Sequence, residues 1–324
     1  GAPPRTKEEI DRLSPEEVRN IVFEAGIVGM GGAGFPSHLK LAPPEPVDTL
    51  IVNGTECEPY ITCDFRLMIE RAQEILLGVD LVAKALGVKK IYIAVEDNKP
   101  GVIKEFMVHG GGQPIIKILK SGYPQGSERQ LIKSILHKEV PRGRLPFNVG
   151  AVVHNVATIY AIYEAVYLRK PLYERLVTVT GSCLTNPKNL LVRLGTPISE
   201  LISACGPLKS APEKIIIGGP MMGFAQGTQD APVIKTTTGI VVMSRKEAAQ
   251  QEEGFCIRCG ACVRVCPSGL MPCLINLAFE KELWTEAKAY AALECIECGL
   301  CNYVCPANRK LTQSIRRAKI EVVK

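Results

Sequence analysis

Aromatic residues are scarce in this chain: one Trp, nine Tyr and eight Phe make up 6% of 324 residues. None interleaves with a run of Lys or Arg. Single-stranded nucleic acid is held by stacking bases on aromatic faces within a basic groove, so no nucleic-acid partner is expected. Long apolar runs are missing as well. A membrane-spanning helix needs about 20 consecutive apolar residues, and the nearest stretch, Ala151 to Leu168, is interrupted by His154, Asn155 and Glu164. The opening Gly1-Ala-Pro-Pro is neither basic nor followed by an apolar core, so no secretory signal is expected. The absent initiator Met suggests a processed or shortened chain. What remains, 46% hydrophobic and 22% charged, is an ordinary globular composition, long enough for two or three domains with cores of their own.

Cysteine is what the chain has in excess. Of 13 cysteines, eight fall in two copies of C-x2-C-x2-C-x3-C-P, the first running from Cys256 to Pro267 and the second from Cys295 to Pro306. This is the spacing of two cubane iron–sulfur clusters, with the fourth Cys of each run serving the other cluster. The expected sets are Cys256, Cys259, Cys262 and Cys305 for one [4Fe–4S] cluster, and Cys295, Cys298, Cys301 and Cys266 for the other. Gly260 and Gly299 let each loop turn tightly, and the Pro after each fourth Cys fixes the backbone. Structural zinc prefers paired C-x2-C knuckles without the x3-C-P tail, and neighbouring C-x2-C thiols suit redox or metal chemistry better than disulfides. Eight bound thiolates offset the net charge of +6, so that charge implies no polyanion partner. The other cysteines, Cys57, Cys63, Cys183, Cys205 and Cys273, read as small buried hydrophobes.

Upstream, Ser14 and Glu17 form a capping box for a helix that ends at Gly26. Five glycines follow within nine residues, Gly26 to Gly34. Formally Gly29-x-Gly31-x-x-Gly34 is a dinucleotide fingerprint, but a helix rather than a strand precedes it. A flexible turn therefore stays open beside a flavin or dinucleotide loop. Strand, polar loop and helix then alternate: strands at Leu50–Val52, Ile91–Val95 and Ile115–Leu119, with one long helix over Phe65 to Leu86. That order predicts a parallel sheet with ligand loops at its strand ends, where Asn53, Glu56, Glu58, Glu96, Asp97 and Glu128 collect. From Tyr173 to Ser244 the pattern turns β-rich, with a helix between strand pairs that opens on Thr196 as N-cap and Pro197 at its first position. Strands, helix and strands in that order suggest a β-grasp module. The last 80 residues read as short helices around the cysteines, with an insulating helix pair over Leu274 to Leu293. Arg309, Lys310, Arg316, Arg317 and Lys319 read as a solvated basic face.

In combination these motifs resemble a known family. Gly29-Met-Gly31-Gly32-Ala-Gly34-Phe-Pro36, Asn53-Gly-Thr-Glu56-Cys-Glu58-Pro59, Tyr123-Pro-Gln-Gly126-Ser-Glu128 and His154-Asn155-Val-Ala-Thr158 occur in the order seen in the flavin subunit of respiratory complex I. With Glu96-Asp-Asn-Lys-Pro100, Gly218-Gly-Pro-Met-Met-Gly223 and the double cysteine motif, the chain is more similar still to the C subunit of the Rnf complex. That complex is a ferredoxin:NAD oxidoreductase of bacterial membranes.

The resemblance implies an α/β, β-grasp and α-helical architecture in three domains. These are a Rossmann-like FMN- and NADH-binding domain over 1–172, a β-grasp domain of soluble-ligand-binding type over 173–244, and a helical two-cluster ferredoxin-like domain over 245–324. It also implies a further module ahead of the flavin domain. By the same resemblance Gly29, Gly31, Gly32 and Gly34 line flavin and nicotinamide, and Lys40 reaches a phosphate. Asn53 and Glu56 contact flavin or ribitol, Glu128 faces the nicotinamide, and Asn155 anchors the FMN phosphate region. Two positions depart from the complex I pattern: Thr55 and Ser127 stand where that flavin protein has acidic residues, removing charge near the expected nucleotide.

The implied function is an electron-transfer subunit of an ion-translocating complex, with ferredoxin, NADH and sister subunits as partners. It would be peripheral to the cytoplasmic face of the inner membrane, meeting the bilayer only through those partners. No nucleophile or general base is expected, because hydride transfer needs none. Two alternatives are a cobalamin reductase of propanediol-degrading microcompartments and a flavin-free iron–sulfur relay or scaffold.

Overall fold

The computed structural model describes residues 3–110, 112, 114–248 and 252–324; the opening Gly1 and Ala2 lie outside them. Two compact units divide the chain: Gly1–Pro220 with Phe224–Ser244, and Met221–Gly223 with Arg245–Lys324. The first unit begins with α1 (Lys7–Arg12) and α2 (Pro15–Glu24), each opened by a capping box, at Thr6 and Glu9 and at Ser14 and Glu17. Each box satisfies two N–H groups that a helix start otherwise leaves bare. After the glycine turn and the short α3 (Ser37–Lys40) comes β1 (Thr49–Asn53). Leu50, Ile51 and Val52 are all fully buried, as expected of a strand covered on both faces.

The helix expected over Phe65 to Leu86 is two helices, α4 (Cys63–Glu70) and α5 (Ala72–Leu86), broken at Arg71 (φ −134°, ψ 31°). Beyond α5 run β2 (Lys90–Glu96), α6 (Pro100–His109), β3 (Ile115–Leu119), α7 (Glu128–Leu136), β4 (Ala151–Asn155) and α8 (Val156–Leu168). The halves of the broken helix answer to different neighbours. Met68 of α4 fills the space where Gly54 lacks a side chain, while Gly78 lets α5 approach α8 until an added Cβ would lie 2.5 Å from the Ile159 carbonyl oxygen. The sheet order is β3-β2-β1-β4, all parallel. The order therefore reverses between β1 and β4. The crevice outside their carboxyl ends is where such sheets bind ligands, and the β1–β4 register sets Asn53 beside Asn155 there.

The same unit carries a second sheet of β5 (Glu174–Thr180), β6 (Lys188–Arg193), β7 (Lys214–Ile217), β8 (Phe224–Gln226) and β9 (Gly239–Met243), ordered β6-β5-β9-β7-β8. Its parallel β5–β9 pair between antiparallel neighbours, with α9 (Ile198–Ala204) packed on one face, is a β-grasp arrangement. The strand β8 has no counterpart in the strands expected from residue order. The cap of α9 is Pro197 rather than Thr196, and it makes no side-chain bond. The Thr196 carbonyl is instead committed to the Val233 N–H at 2.8 Å, which holds Thr196 outside the helix.

The second unit is helical: α10 (Arg245–Ala248), α11 (Ala261–Arg264), α12 (Pro272–Glu280), α13 (Trp284–Ala289), α14 (Leu300–Tyr303) and α15 (Leu311–Val323). Leu270, Ile275, Ala278, Ala287, Ala292, Ile315 and Ala318 form its apolar core. The expected pair over 274–293 is α12 and α13. Among the described residues no helix is long and apolar enough to cross a membrane.

Gly78 offers a test of the α5–α8 contact. Alanine in a helix gains about 1 kcal/mol over glycine, but a Cβ pressed on a backbone carbonyl has no side chain to move aside. Gly78→Ala is therefore expected to lower the free energy of unfolding by about 1–3 kcal/mol, measured by urea denaturation. A more stable variant would show that the helices can part.

Candidate functional site

The glycine turn closes on itself. The Gly29 N–H donates to the Phe35 carbonyl at 2.8 Å, and the Gly34 N–H to the Gly29 carbonyl at 3.0 Å. Gly32 (φ +100°) and Gly34 (φ +69°) occupy backbone conformations that only glycine adopts cheaply. At Gly32 an added Cβ would meet nothing within 4 Å, so the turn offers bare backbone to open space. At Gly31 the same atom would lie 3.2 Å from Asn155 Cβ, which seats the turn directly on the end of β4. The Met30 N–H donates to Thr158 Oγ1 at 2.9 Å and ties the turn to α8.

Asn155 caps α8 by accepting from the Ala157 N–H at 2.9 Å, and its Nδ2 donates to Asp64 Oδ2 at 2.6 Å. On β1, Asn53 Nδ2 donates to the Gly126 carbonyl at 2.9 Å, while its Oδ1 accepts from the Thr55 N–H and hydroxyl. An added Cβ at Gly126 would lie 2.7 Å from Thr55 Oγ1 and 3.1 Å from Cys57 Sγ, so the 53–59 and 123–128 loops close on each other. Thr55, fully buried, is part of that contact. Ser127 takes the cap position of α7 without a side-chain bond. Lys40 and Glu128 form an ion pair at 2.5 Å, about one-third exposed. His154, one residue before Asn155, is buried, and its Nε2 has no hydrogen-bond partner among the described residues. Burial, with the Lys40 charge adding to it, pulls its pKa down to about 3; it is neutral.

Below Asn155 lies an acidic group, Asp64 buried and Glu56 half-buried. Glu56 (φ +47°) accepts from the Asp64 N–H at 2.6 Å and the Phe65 N–H at 2.9 Å, so both carboxylate oxygens face the start of α4. Burial and the adjacent Asp64 push its pKa up to about 8. Burial also raises Asp64, against the opposing pull of the Asn155 bond, Arg175 and Lys99. Beside them Lys99 and Glu96 form a buried ion pair at 2.9 Å, and Lys99 also donates to the Thr55 carbonyl at 2.5 Å. A cleft of about 580 Å³ opens here, lined by Glu56, Glu58, Phe65, Glu96, Lys99 and Tyr123 among others.

The β-grasp module supplies residues that reasoning from the sequence missed. Arg175 on β5 is 2% exposed, and its guanidinium donates to the carbonyls of Leu176, Lys235 and Met30. Lys235 Nζ donates to the Gly26 carbonyl at 2.5 Å, and Thr236 Cγ2 would lie 2.9 Å from a Cβ on Gly34. Gly219 leaves the space that the Glu58 side chain fills. One signal was available: Arg175 shares strand parity with the buried Val177 and Val179, which marks an inward-facing cation. Asp64 gave no such sign.

In the second unit Cys266, Cys295, Cys298 and Cys301 line one cavity, closed by Leu270, Pro272 and Ile315. Backbone N–H groups of Leu270 and Glu297 donate to the sulfurs of Cys266 and Cys295, and that of Arg309 to Cys305, each at 3.4 Å. The two loops repeat one another: Arg258 and Gly260 match Glu297 and Gly299, and Gly269 matches Asn308, all at positive φ. Four thiols around one cavity, with amides aimed at sulfur, fit an iron–sulfur cluster. Of the other four, Cys262 is buried, Cys305 is half-buried, and Cys256 and Cys259 are exposed.

The basic tail is only partly a solvated face, with Lys310 and Arg317 exposed and Arg309, Arg316 and Lys319 half-buried. Arg309 pairs with Glu253 and Glu280, Arg316 and Lys319 both pair with Glu297, and Arg317 lies over the Phe279 ring. The remaining cysteines divide. Cys63, Cys183 and Cys205 are buried, while Cys57 and Cys273 are half-buried. Cys57 accepts from the Gly126 N–H at 3.2 Å, and burial pushes its thiol up to about 11.

Comparison with known proteins gives these features a class. Residues 22–164 match the Nuo51 FMN-binding domain family, residues 176–225 the SLBB domain family, and residues 255–309 the 4Fe-4S dicluster domain family. An NAD+-reducing [NiFe]-hydrogenase in its H2-reduced state shares the fold, with a TM-score of 0.64 at 18% identity over 99% of this chain and 65% of that one.

Nearer relatives fix the family. The chain is 48% identical to the C subunit of the proton-translocating ferredoxin:NAD(+) oxidoreductase complex of Clostridium ljungdahlii, covering 95% of this chain and 68% of that protein. It is 43% identical to the C subunit of the Na(+)-translocating ferredoxin:NAD(+) oxidoreductase complex of Acetobacterium woodii, over 97% and 72%. To the C subunit of the ion-translocating oxidoreductase complex of Rhodobacter capsulatus it is 45% identical, over 84% of this chain but 53% of that one. The chain belongs to the Rnf family of ion-translocating ferredoxin:NAD+ oxidoreductase C subunits.

Two measurements probe the buried charges. Lys99→Met leaves the Glu96 carboxylate buried without its cation and is expected to cost about 3–5 kcal/mol of stability, with much of it recovered in Lys99→Met/Glu96→Gln. A loss in the double variant equal to the sum of the losses in Lys99→Met and Glu96→Gln would mean the pair is not coupled. Glu56 has its folded pKa raised to about 8 from 4.5, so its contribution to stability is full below 4.5 and lost as pH rises through 8. Relative to Glu56→Gln, the natural chain is therefore expected to lose stability between pH 5 and pH 8. A pH-independent difference would show that Glu56 ionises normally.

Proposed function

We propose that this chain is the electron-transfer subunit of an Rnf-type ion-translocating complex, linking NADH to ferredoxin through FMN and two [4Fe–4S] clusters. The observation that carries the reading is the meeting of Cys266, from the first cysteine run, with Cys295, Cys298 and Cys301 of the second around one cavity. This is the crossed set expected of a two-cluster protein. Cys256, Cys259, Cys262 and Cys305 form the companion set. Upstream, the residues proposed to hold FMN are Gly29, Gly31, Gly32, Gly34, Lys40, Asn53, Glu56, Glu128 and Asn155.

A bound flavin supplies the exchange between a two-electron hydride and single electrons. The chain's own residues bind, orient and keep dry. The bare backbone at Gly32 admits a flat ring, and the amide of Asn155 stays fixed by Asp64 on one side and α8 on the other. The paired Lys40 and Glu128 offer a cation for a phosphate and a carboxylate for ribose hydroxyls. In the second unit, N–H groups aimed at Cys266, Cys295 and Cys305 stabilise sulfur-borne negative charge. No protein acid or base is required. In this reading the protein works at the cytoplasmic face of the inner membrane, held there by sister subunits.

Oxygen-free preparations are expected to contain about eight irons per chain and to take up FMN in equimolar amount, measured by iron analysis and bound-flavin absorbance. Near four irons removes one cluster, and absent flavin uptake favours a plain iron–sulfur relay. Cys266→Ser is expected to perturb the cluster of the 295–301 loop in its EPR spectrum. Damage confined to the 256–262 cluster would overturn the crossed ligation.

A further inference from the structure

A cation in the interior costs several kcal/mol of desolvation, and an apolar side chain of similar volume usually serves stability as well or better. Arg175 occupies such a position: it is 2% exposed, on the inward face of β5 with Val177 and Val179. Its partners explain why a cation is kept. The guanidinium reaches the Met30 carbonyl inside the glycine turn at 3.4 Å, the Lys235 carbonyl, and its own strand at Leu176. It also acts electrostatically on Asp64 and Cys63. Asp64 in turn accepts from Asn155 Nδ2 at 2.6 Å, and Asn155 is the side chain on which Gly31 rests. Both ends of the turn are held from the same module, by the turn ahead of β9: Lys235 takes the Gly26 carbonyl, and Thr236 lies against Gly34.

We propose that Arg175 is a positioning residue for the flavin site. Through Met30 directly and Asn155 by way of Asp64, it fixes the glycine turn, so that the β-grasp module acts as the back wall of the cofactor crevice. The module's role is thus mechanical: its sheet carries a cation that both contacts the turn and compensates the carboxylate beneath it. Two other groups act on that carboxylate. Lys99 draws on it as a second, weaker cation, and Glu56 shares its interior and accepts from its backbone N–H. The second cation leaves the Met30 contact as the part of the role that belongs to Arg175. The proposal rests on the reading that the Gly29–Gly34 turn takes FMN, and its first measurement does not depend on flavin.

Hydrogen exchange of the full chain without flavin, read by mass spectrometry over residues 27–36, reports the turn itself. Its amides at Gly29, Met30 and Gly34 are hydrogen-bonded within the folded site. Arg175→Met is expected to speed their exchange by about tenfold or more and to weaken FMN binding by a similar factor. Iron content should stay at the level of the natural chain. Arg175→Lys, which keeps the charge but not the fork, is expected to recover part of both losses. A folded Arg175→Met with unchanged protection and unchanged FMN affinity overturns the proposal. If that variant does not fold, Arg175→Lys decides on the same two readouts: exchange faster and FMN binding weaker than in the natural chain support the proposal, and unchanged values overturn it. If the natural chain takes up no FMN, the reading of the turn fails, while the exchange rates still judge Arg175.

Discussion

The first unit depends on one pairing, the parallel register of β1 with β4 that brings Asn53 and Asn155 side by side at the strand ends. Each Asn then does what a short amide side chain does best, bonding to backbone groups nearby. Asn53 gathers the 53–59 and 123–128 loops, and Asn155 caps α8 and takes hold of Asp64. The glycine turn rests on Asn155 because Gly31 has no side chain to keep it off. A shift of either strand by one residue would turn its Asn to the opposite face of the sheet, and the crevice would lose its floor.

Burying so many charged groups around the crevice is tolerable only because each is compensated. Glu96 has Lys99, Glu56 has two backbone N–H groups and a pKa near 8, and Asp64 has Asn155 with Arg175 behind it. His154 avoids the problem by staying neutral. The second unit meets the same difficulty with ion pairs again. Its acidic Glu297, inside the second cysteine loop, is held by Arg316 and Lys319, and burial works against that pull while its pKa is still lowered. Arg316 and Lys319 of the tail thus serve the second cysteine loop.

Much of this was legible in the residue order. The capping box at Ser14, the strands over the apolar runs and the turn at Gly260 and Gly299 all depend on residues within a few positions of one another. Reading failed where distance along the chain was large. Arg71 carries no helix-breaking chemistry, yet the helix stops there because α4 and α5 are anchored to different partners. Thr196 has good capping chemistry, but its carbonyl is claimed by Val233, far along the chain. The five basic tail residues have the spacing of a solvated face, and only the folded unit shows acids or a ring against four of them.

The sequence by itself determined the chemistry available: eight thiols at cluster spacing, a turn with no side chains in its way, and a parallel sheet with polar loops at its ends. Each follows from local geometry, in which spacing and side-chain type suffice. Tertiary structure decided which groups face one another. It alone put Arg175 behind the glycine turn, Asp64 under Asn155, and Glu58 into the space at Gly219. Burial and charge compensation are properties of neighbours in space, and residues distant in the chain become neighbours only when the sheets assemble.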